Sequence, residues 1–268
     1  MSKRLKATLI AGSIIIAIGL ILVAFAGLIP GLKLKSLNWT YKEYTTSADE
    51  EITDIDLQFY AGKLTVEYYN EKEIKLMYYE SSEYTINCYV SKGTLHISTS
   101  QLRWTNFLWS DKIPEMRMYL PQSISVEKKP LDLKLQVNSG SVTFTAGAFG
   151  NVEVELNAGA IILNNMYCDN FKGEIHAGIL SMSRVLCNQY TANVSAGVLD
   201  TSRLECGEIN IDVSVGSANI GIKGRQSDYS IWTTVSAGNC NVQKQNGKTL
   251  QSLKVTVSAG SVKVNFDN

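Results

Sequence analysis

Seven glycines between residues 140 and 260 recur at a nearly constant interval, with spacings of 19, 19, 19, 19, 22 and 22 residues. Most of them follow Ser or Ala, as in Asn-Ser-Gly140 and Ser-Ala-Gly197. The seven are Gly140, Gly159, Gly178, Gly197, Gly216, Gly238 and Gly260. A fixed period in this range is typical of repeat proteins, in which each repeat buries its apolar side only against its neighbours. The chain is therefore expected to build one long stack.

Apolar residues alternate with mostly polar ones on both sides of every glycine. Three residues before the glycines stand Val137, Leu156, Ile175, Val194, Val213, Val235 and Val257. Two residues after them stand Val142, Ile161, Leu180, Leu199, Ala218, Cys240 and Val262. The column four residues after them is apolar except at Thr201. A period of two with one apolar side predicts half-buried strands. Each repeat should therefore carry two strands that meet at a glycine corner, where positive φ costs no Cβ clash.

These patterns predict an all-β fold, a right-handed parallel β-solenoid with coils of 19–22 residues. The same offsets recur around Gly62, which lies 78 residues before Gly140, close to four periods. The region between them is less regular and is expected to contain strands with longer loops and some antiparallel pairing. We expect a linker over 32–50 and a solenoid domain over 51–268, with irregular coils over 51–130 and regular coils over 131–268.

An apolar segment from Ala7 to Ile29 precedes the repeats and contains no charged residue. A helix of these 23 residues would be about 34 Å long, enough for a bilayer core of about 30 Å. Three basic residues before it favour a cytoplasmic N-terminus. We expect residues 1–31 to be a cytoplasmic stub and a single-pass anchor in the cell membrane, with the solenoid extracytoplasmic. Cleavage after Ala26 as a signal peptide is the alternative, because residues 24–26 match an A-x-A site.

The charge of the chain argues against one class of partner. The chain holds 25 basic and 25 acidic residues. Five of the basic residues and none of the acidic ones lie in residues 1–35, so the remainder is mildly acidic. A mildly acidic domain without a basic stripe lacks the electrostatic footprint of a nucleic-acid-binding protein. We expect no nucleic acid among the partners.

Three of the five cysteines follow the repeat, because Cys168, Cys187 and Cys206 are 19 residues apart. On a solenoid they would stack as a ladder, within the range of a disulfide or a metal site. Their side chains would run parallel, no C-x-x-C pair occurs, and neither histidine shares their register. Buried thiols that pack as small apolar groups are therefore favoured. No metal or cofactor is expected.

Catalytic motifs are sparse. His96 and His176 have no neighbouring partner that suggests a dyad or triad. Glu155 and Glu174 share one outward column on adjacent coils, so a carbohydrate-active enzyme, which needs two nearby carboxylates, stays an alternative. A solvated acidic face is the favoured explanation of these carboxylates, and no aromatic groove accompanies them in the sequence. The chain is therefore not expected to be an enzyme.

Three surfaces are candidates for contacts. Two interpretations stay open for an apolar loop within residues 101–110: a cap over the N-terminal end of the stack, or a contact with a partner or the membrane interface, where Trp is enriched. Its apolar members are Trp104, Phe107, Leu108 and Trp109. The outward side of the second strands carries short polar side chains and is a candidate surface for a cell-wall glycan or an envelope protein. The favoured explanation is that flat solenoid faces commonly carry such residues. The C-terminal coil, ending near Phe266, would leave backbone edges free, which predicts self-association there.

The segment from Ile55 to Val66, the strand from Met116 to Pro121 and the series of Ser-Ala-Gly corners together resemble one bacterial family. It is the "putative adhesin" β-strand-repeat family of unknown function, which includes LiaG-like membrane-anchored envelope proteins. The resemblance covers about residues 50–268. It implies an anchored extracytoplasmic solenoid, in some members linked to envelope stress, and no established catalytic residues. We therefore expect a non-catalytic binding or scaffold module at the cell envelope, with a self-assembling solenoid like the bactofilins as the alternative.

Overall fold

The computed structural model describes residues 38–47, 50–101, 113–122 and 130–267. In these ranges the chain forms sixteen strands, numbered in chain order, and one short 3-10 helix at Gln226–Asp228. The strands are β1 (Thr40–Thr45), β2 (Asp54–Phe59), β3 (Lys63–Tyr69), β4 (Lys75–Glu80), β5 (Ile86–Ser91), β6 (Thr94–Thr99), β7 (Glu115–Pro121), β8 (Leu131–Val137), β9 (Ser141–Phe144), β10 (Gly147–Val194), β11 (Val198–Val213), β12 (Ser217–Lys223), β13 (Tyr229–Val235), β14 (Asn239–Cys240), β15 (Gln251–Val257) and β16 (Ser261–Asp267).

The strands stack in two parallel ladders, one from the strand before each glycine corner and one from the strand after it. The first ladder runs β6-β2-β8-β10-β11-β15-β13. The second ladder runs β7-β3-β9-β10-β11-β12-β16-β14. The strand β10 spans 48 residues, more than two repeats, and therefore contributes to both ladders. These pairings confirm the all-β expectation and the parallel stacking of the repeats.

One continuous core lies between the two ladders. The predicted apolar columns fill it. The column three residues before the glycines is buried in every coil except at Val235, which is 44% exposed. Each fully buried Val or Leu contributes about 1.5–3 kcal/mol relative to an exposed one. Several stacked coils are therefore needed to offset the entropy lost in ordering the backbone.

The glycine corners lie directly on one another along the stack. A Cβ built on Gly178 would lie 2.8 Å from the carbonyl oxygen of Gly159, so the corners pack backbone to backbone. Gly62 belongs to the same column, because a Cβ on Gly140 would lie 2.7 Å from the Gly62 carbonyl oxygen. These two corners are one coil apart and not four periods apart, as the spacing had indicated. The reason is that β4 to β7 lie on the far side of β2 and β3.

Antiparallel strands close the N-terminal end of the stack. The strand β5 pairs with β6, β4 pairs with β7, and β1 pairs with β4, each in antiparallel register. The buried Tyr84 fills the core at this end and donates a hydrogen bond to the carbonyl of Ala61 at 2.9 Å. This confirms the antiparallel pairing expected for the irregular part of the chain.

The C-terminal coil lies inside the stack and not at its end. The strand β15 pairs with β11 on one side and with β13 on the other. The strand β16 likewise pairs with β12 and with β14. The coil of Gly260 therefore separates the coil of Gly216 from that of Gly238, out of sequence order. The expectation that the C-terminal coil has free edges is wrong, because strands flank it on both sides.

At the outermost coil, that of Gly238, one amide side chain and one pair of backbone hydrogen bonds occupy groups at the edge of the strands. The Asn241 side chain donates a hydrogen bond to the Val264 carbonyl and accepts one from its N–H, both at 2.7 Å. The amide thus replaces a strand residue beside β16. The backbone of Gln245 exchanges two hydrogen bonds with that of Ile231, at 2.9 and 3.1 Å. Occupied edge groups of this kind oppose the addition of a further strand.

Thr201, the polar exception in its column, is buried beside Tyr190, with 1% of its surface exposed. The two hydroxyl oxygens are 2.8 Å apart. Thr201→Val is expected to lower the free energy of unfolding by about 1–3 kcal/mol, because the buried Tyr190 hydroxyl loses its oxygen partner. The double variant Thr201→Val/Tyr190→Phe removes both hydroxyls and should recover most of that loss in urea unfolding. Equal losses in the two variants would show that the hydroxyl pair is not what Thr201 provides.

The predicted membrane anchor at Ala7 to Ile29 lies outside the described residues and stays a prediction. Within the described ranges, no helix is long and apolar enough to cross a bilayer. The predicted limits of the anchor, the linker and the solenoid domain likewise stay predictions.

Candidate binding face

One exposed sheet surface near the N-terminal end of the stack is rich in tyrosine. It consists of the outward side chains of β4, β7 and β3, which alternate with side chains that enter the core, and of the same side of β1, which is exposed along most of its length. Tyr41 stands opposite Tyr79, and Met77 stands opposite Arg117. We call this surface the tyrosine face, and its members are Tyr41, Glu43, Thr45, Lys63, Thr65, Glu67, Tyr69, Lys75, Met77, Tyr79, Glu115, Arg117 and Tyr119.

The tyrosines of this face form two pairs. The rings of Tyr41 and Tyr79 are 5.6 Å apart and cross at 63°, an edge-to-face contact. The rings of Tyr69 and Tyr119 are also 5.6 Å apart, tilted by 46°. Tyr41 and Tyr79 are 43% and 44% exposed. Because aromatic pairs of this geometry stabilise each other, the rings form an ordered apolar platform that is open to solvent.

Charged groups lie between the two tyrosine pairs. The Tyr41 hydroxyl donates a hydrogen bond to Glu43, which raises the pKa of Tyr41 to about 12 and lowers the pKa of Glu43. The Lys75 ammonium lies 3.0 Å from the same carboxylate. A hydrogen bond with Tyr119 raises the pKa of Arg117. The face therefore keeps fixed donors and acceptors at neutral pH, while the charges of its three basic and three acidic side chains cancel.

A groove of about 420 Å³ borders this face. Trp39, Tyr79 and Glu115 line it, together with Ile113 and Pro114. The indole N–H of Trp39 is buried and has no hydrogen-bond partner among the described residues. An apolar groove with a few polar groups is the usual form of a small-ligand site. The groove could thus receive one unit of a ligand that lies across the tyrosine face.

The contact residues predicted from the sequence lie outside the described residues. They are Trp104, Phe107, Leu108 and Trp109. The chain is described again from Ile113, which is 61% exposed and lines the groove beside Tyr79. The role of the four predicted contact residues, as a cap or as a contact surface, therefore stays a prediction.

The carboxylates considered for catalysis are partnered by neighbouring side chains. Glu155 accepts hydrogen bonds from Gln136 at 3.3 Å and from Asn157 at 3.2 Å. Glu174 forms an ion pair with Lys172 at 3.0 Å. Both border a groove of about 200 Å³ on the outer side of the first ladder. These contacts fit the solvated polar face expected from the sequence.

The polar column that contains His176 lies where it was predicted, beside the glycine corners. His176 is exposed, as expected for the column beside the corners. In that column Asn157 donates a hydrogen bond to Asn138 on the preceding coil at 3.1 Å.

The outward side of the second ladder is exposed as predicted, but aliphatic residues interrupt its polar surface. They are Ile162, Ile179 and Val198, which are 37%, 51% and 40% exposed.

The three cysteines of the repeat form the expected ladder as free thiols. Cys187 and Cys206 are buried, and Cys168 is half-buried. Hydrogen-bond contacts with Cys168 and Cys206 raise the pKa of the Cys187 thiol, and the contact with Cys187 lowers that of Cys206. Within the described ranges, no group of three or more His, Cys, Asp or Glu side chains is arranged to hold one metal ion.

The sequence interpretation missed the tyrosine face, although a signal was present. Ten of the thirteen tyrosines precede residue 120, in the part where the glycine period fails. The alternating pattern of β4 and β7 could have placed Tyr79 and Tyr119 outward. The pairing of β1 with β4 could not be read from the sequence, so Tyr41 had no predicted neighbour.

The chain belongs to the Toastrack DUF4097 family, whose model matches residues 52–268. This agrees with the resemblance to the "putative adhesin" repeat proteins. No functionally curated protein matches the sequence.

Several solved structures are similar to this chain. A "putative cell adhesion protein" from Clostridium sporogenes is 16% identical, covers 86% of this chain and all of its own length, and has a TM-score of 0.38. A "putative adhesin" from Parabacteroides merdae is 13% identical over 85% of this chain and 98% of its own, with a TM-score of 0.49. A "putative lipid binding protein" from Parabacteroides distasonis is 15% identical over the same shares, with a TM-score of 0.44.

Proposed function

We propose that this protein is a non-catalytic binding module of the bacterial cell envelope that contacts a cell-wall glycan through its tyrosine face. The observation that supports this is that two tyrosine pairs lie on one open sheet surface. Lys75, Glu43 and Arg117 lie between them. The names of the similar structures, which include adhesins and a lipid-binding protein, agree with a binding role.

The chemistry of the face suits a polar, nearly uncharged polymer. Aromatic rings pack against the C–H faces of sugar rings, and the fixed carboxylate, ammonium and guanidinium groups can bind hydroxyls and amides. The charges of the face cancel, so it lacks the single-sign field that attracts highly charged polymers. The open platform also suits a long chain better than a small enclosed ligand.

An envelope protein is the second candidate partner. Met77 and Arg117 lie at the centre of the tyrosine face. Tyr, Met and Arg are the residue types enriched at protein interfaces, and Tyr and Arg are frequent hot spots. A protein partner would use the same surface, so binding to purified peptidoglycan is the test that separates the two candidates.

The proposal includes the location and the winding of the domain. A single-pass anchor at Ala7 to Ile29 would hold the domain outside the cell membrane, within reach of the cell wall. We also propose that the stack winds as a right-handed solenoid. A link to envelope stress would follow if glycan binding reports the state of the wall. Reporter fusions on either side of Ala7 to Ile29 test the orientation.

Purified peptidoglycan tests the binding proposal. The chain should co-sediment with peptidoglycan, and Tyr41→Ala/Tyr79→Ala should weaken this binding about tenfold or more, a loss of about 1.4 kcal/mol. Both side chains are exposed, so the fold should change little. Trp232→Ala is the matched control, because Trp232 is an exposed aromatic residue of β13 in the other ladder, 48% exposed. Equal binding by all three chains would contradict the proposal, and no binding by any of them would favour a protein partner.

A further inference from the structure

The three thiols of the cysteine ladder share one register across adjacent coils. Cys187 stands directly opposite Cys206 in the parallel pairing of β10 with β11. On the other side, Asn188 donates a hydrogen bond to Asp169 at 3.4 Å, and these residues directly follow Cys187 and Cys168. The Cys187 side chain therefore lies in register with a cysteine on each neighbouring coil.

The three thiols differ in their exposure, and Cys168 is the most open to solvent. The Cys206 thiol donates to the carbonyl of Glu208 at 3.1 Å and is 3% exposed. Cys187 is 6% exposed, and Cys168 is half-buried. An incoming ion would thus meet Cys168 first and Cys187 directly behind it, while Cys206 already has a backbone acceptor.

The spacing of the coils distinguishes a metal from a disulfide. In-register side chains on neighbouring parallel strands repeat at about 4.8 Å. A disulfide draws the two Cβ atoms to about 3.8 Å, which would pull the two coils slightly closer together than this spacing. Two thiolate–metal bonds of about 2.3 Å in a line span about 4.6 Å, which matches the coil spacing without any shift.

We propose that Cys168 and Cys187 form a two-coordinate site for a soft, thiophilic cation that binds two thiolates in a line. This site is separate from the tyrosine face and does not depend on the proposed glycan binding. On binding, two S–H bonds release their protons to solvent and two sulfur–metal bonds form, with no electron transferred. A divalent cation such as Hg(II) leaves the bis-thiolate neutral, which burial favours over the charged complex of a monovalent ion.

Alkylation of the reduced full chain with N-ethylmaleimide, mapped by peptide mass spectrometry, tests this site with Hg(II) as the probe. One equivalent of Hg(II) should slow alkylation of Cys168 at least tenfold and leave the half-buried Cys88 and Cys240 at their original rates. In Cys187→Ser the added Hg(II) should no longer favour Cys168 over Cys240. In the matched variant Cys206→Ser the protection of Cys168 should persist.

Three results would overturn the proposal. Preferential protection of Cys168 that survives in Cys187→Ser would mean that one thiol suffices. Loss of protection in Cys206→Ser would place the site elsewhere on the ladder. A Cys168–Cys187 disulfide that forms readily in air, seen as a loss of two mass units, would contradict the argument from coil spacing. Circular dichroism checks that each variant keeps its strands.

Discussion

Gly159→Ala should lower the free energy of unfolding by about 2–5 kcal/mol. Gly159 has a φ of +98°, a conformation that costs an L-residue about 1–2 kcal/mol. The added Cβ would also overlap the Gly140 carbonyl oxygen and lie 2.7 Å from the Gly140 amide nitrogen. Backbone atoms cannot move aside as a flexible side chain can, so overpacking adds a further 1–3 kcal/mol or so. Urea unfolding, followed by circular dichroism, measures the loss.

Gly207→Ala is the control for this substitution. Gly207 is exposed and lies in a region of the repeat away from the stacked corners. A Cβ there would meet only the Asn188 carbonyl oxygen, at an ordinary 3.4 Å. We expect a change within about 0.5 kcal/mol, as for other surface positions. If Gly159→Ala were as mild as Gly207→Ala, the corners would not stack as described.

Removal of residues 250–268 should unfold the outermost coil while leaving the centre of the stack intact. The strand β15 is the ladder partner of β13, and β16 is that of β14. Amides of residues 229–240 should therefore lose protection from hydrogen exchange by about 100-fold or more, whereas those of residues 152–199 should keep it. A chain that ends at Val264 retains β15 and the contacts of Asn241, and should keep most of the protection.

The same truncation has a clear contradicting outcome. If residues 229–240 stay protected, the coil of Gly238 can stack directly on that of Gly216, in sequence order. The inserted position of the C-terminal coil would then not be what holds β13 and β14 in place.

The repeat predicted the columns of the stack but not the order of its last coils. Ser-Ala-Gly238 and Ser-Ala-Gly260 carry the same pattern, so either corner fits on Gly216. Thr233 was the available signal. It stands in register with Val255 of the inserted coil, and Val255 is fully buried. A polar residue in an interior column suits the end of a stack, where one side of the coil is uncovered.

The N-terminal part could be predicted only in outline. Its strands alternate clearly, but antiparallel pairing depends on contacts between distant segments, such as β1 with β4, that no local pattern specifies. The candidate site lies in this part, which is why its tyrosines were not grouped from the sequence. Thr201 is the opposite case, because its column was predicted and only its partner, Tyr190, required the structure.

Hydrogen exchange of the full chain with soluble peptidoglycan fragments tests the proposed binding role most directly. We expect added protection in residues 40–45, 63–69, 75–80 and 115–121, the strands that carry the tyrosine face. Residues 198–223, which lie toward the other end of the stack, should be unchanged. Protection that appears only in residues 198–223, or no protection at saturating fragment, would contradict glycan binding through the tyrosine face.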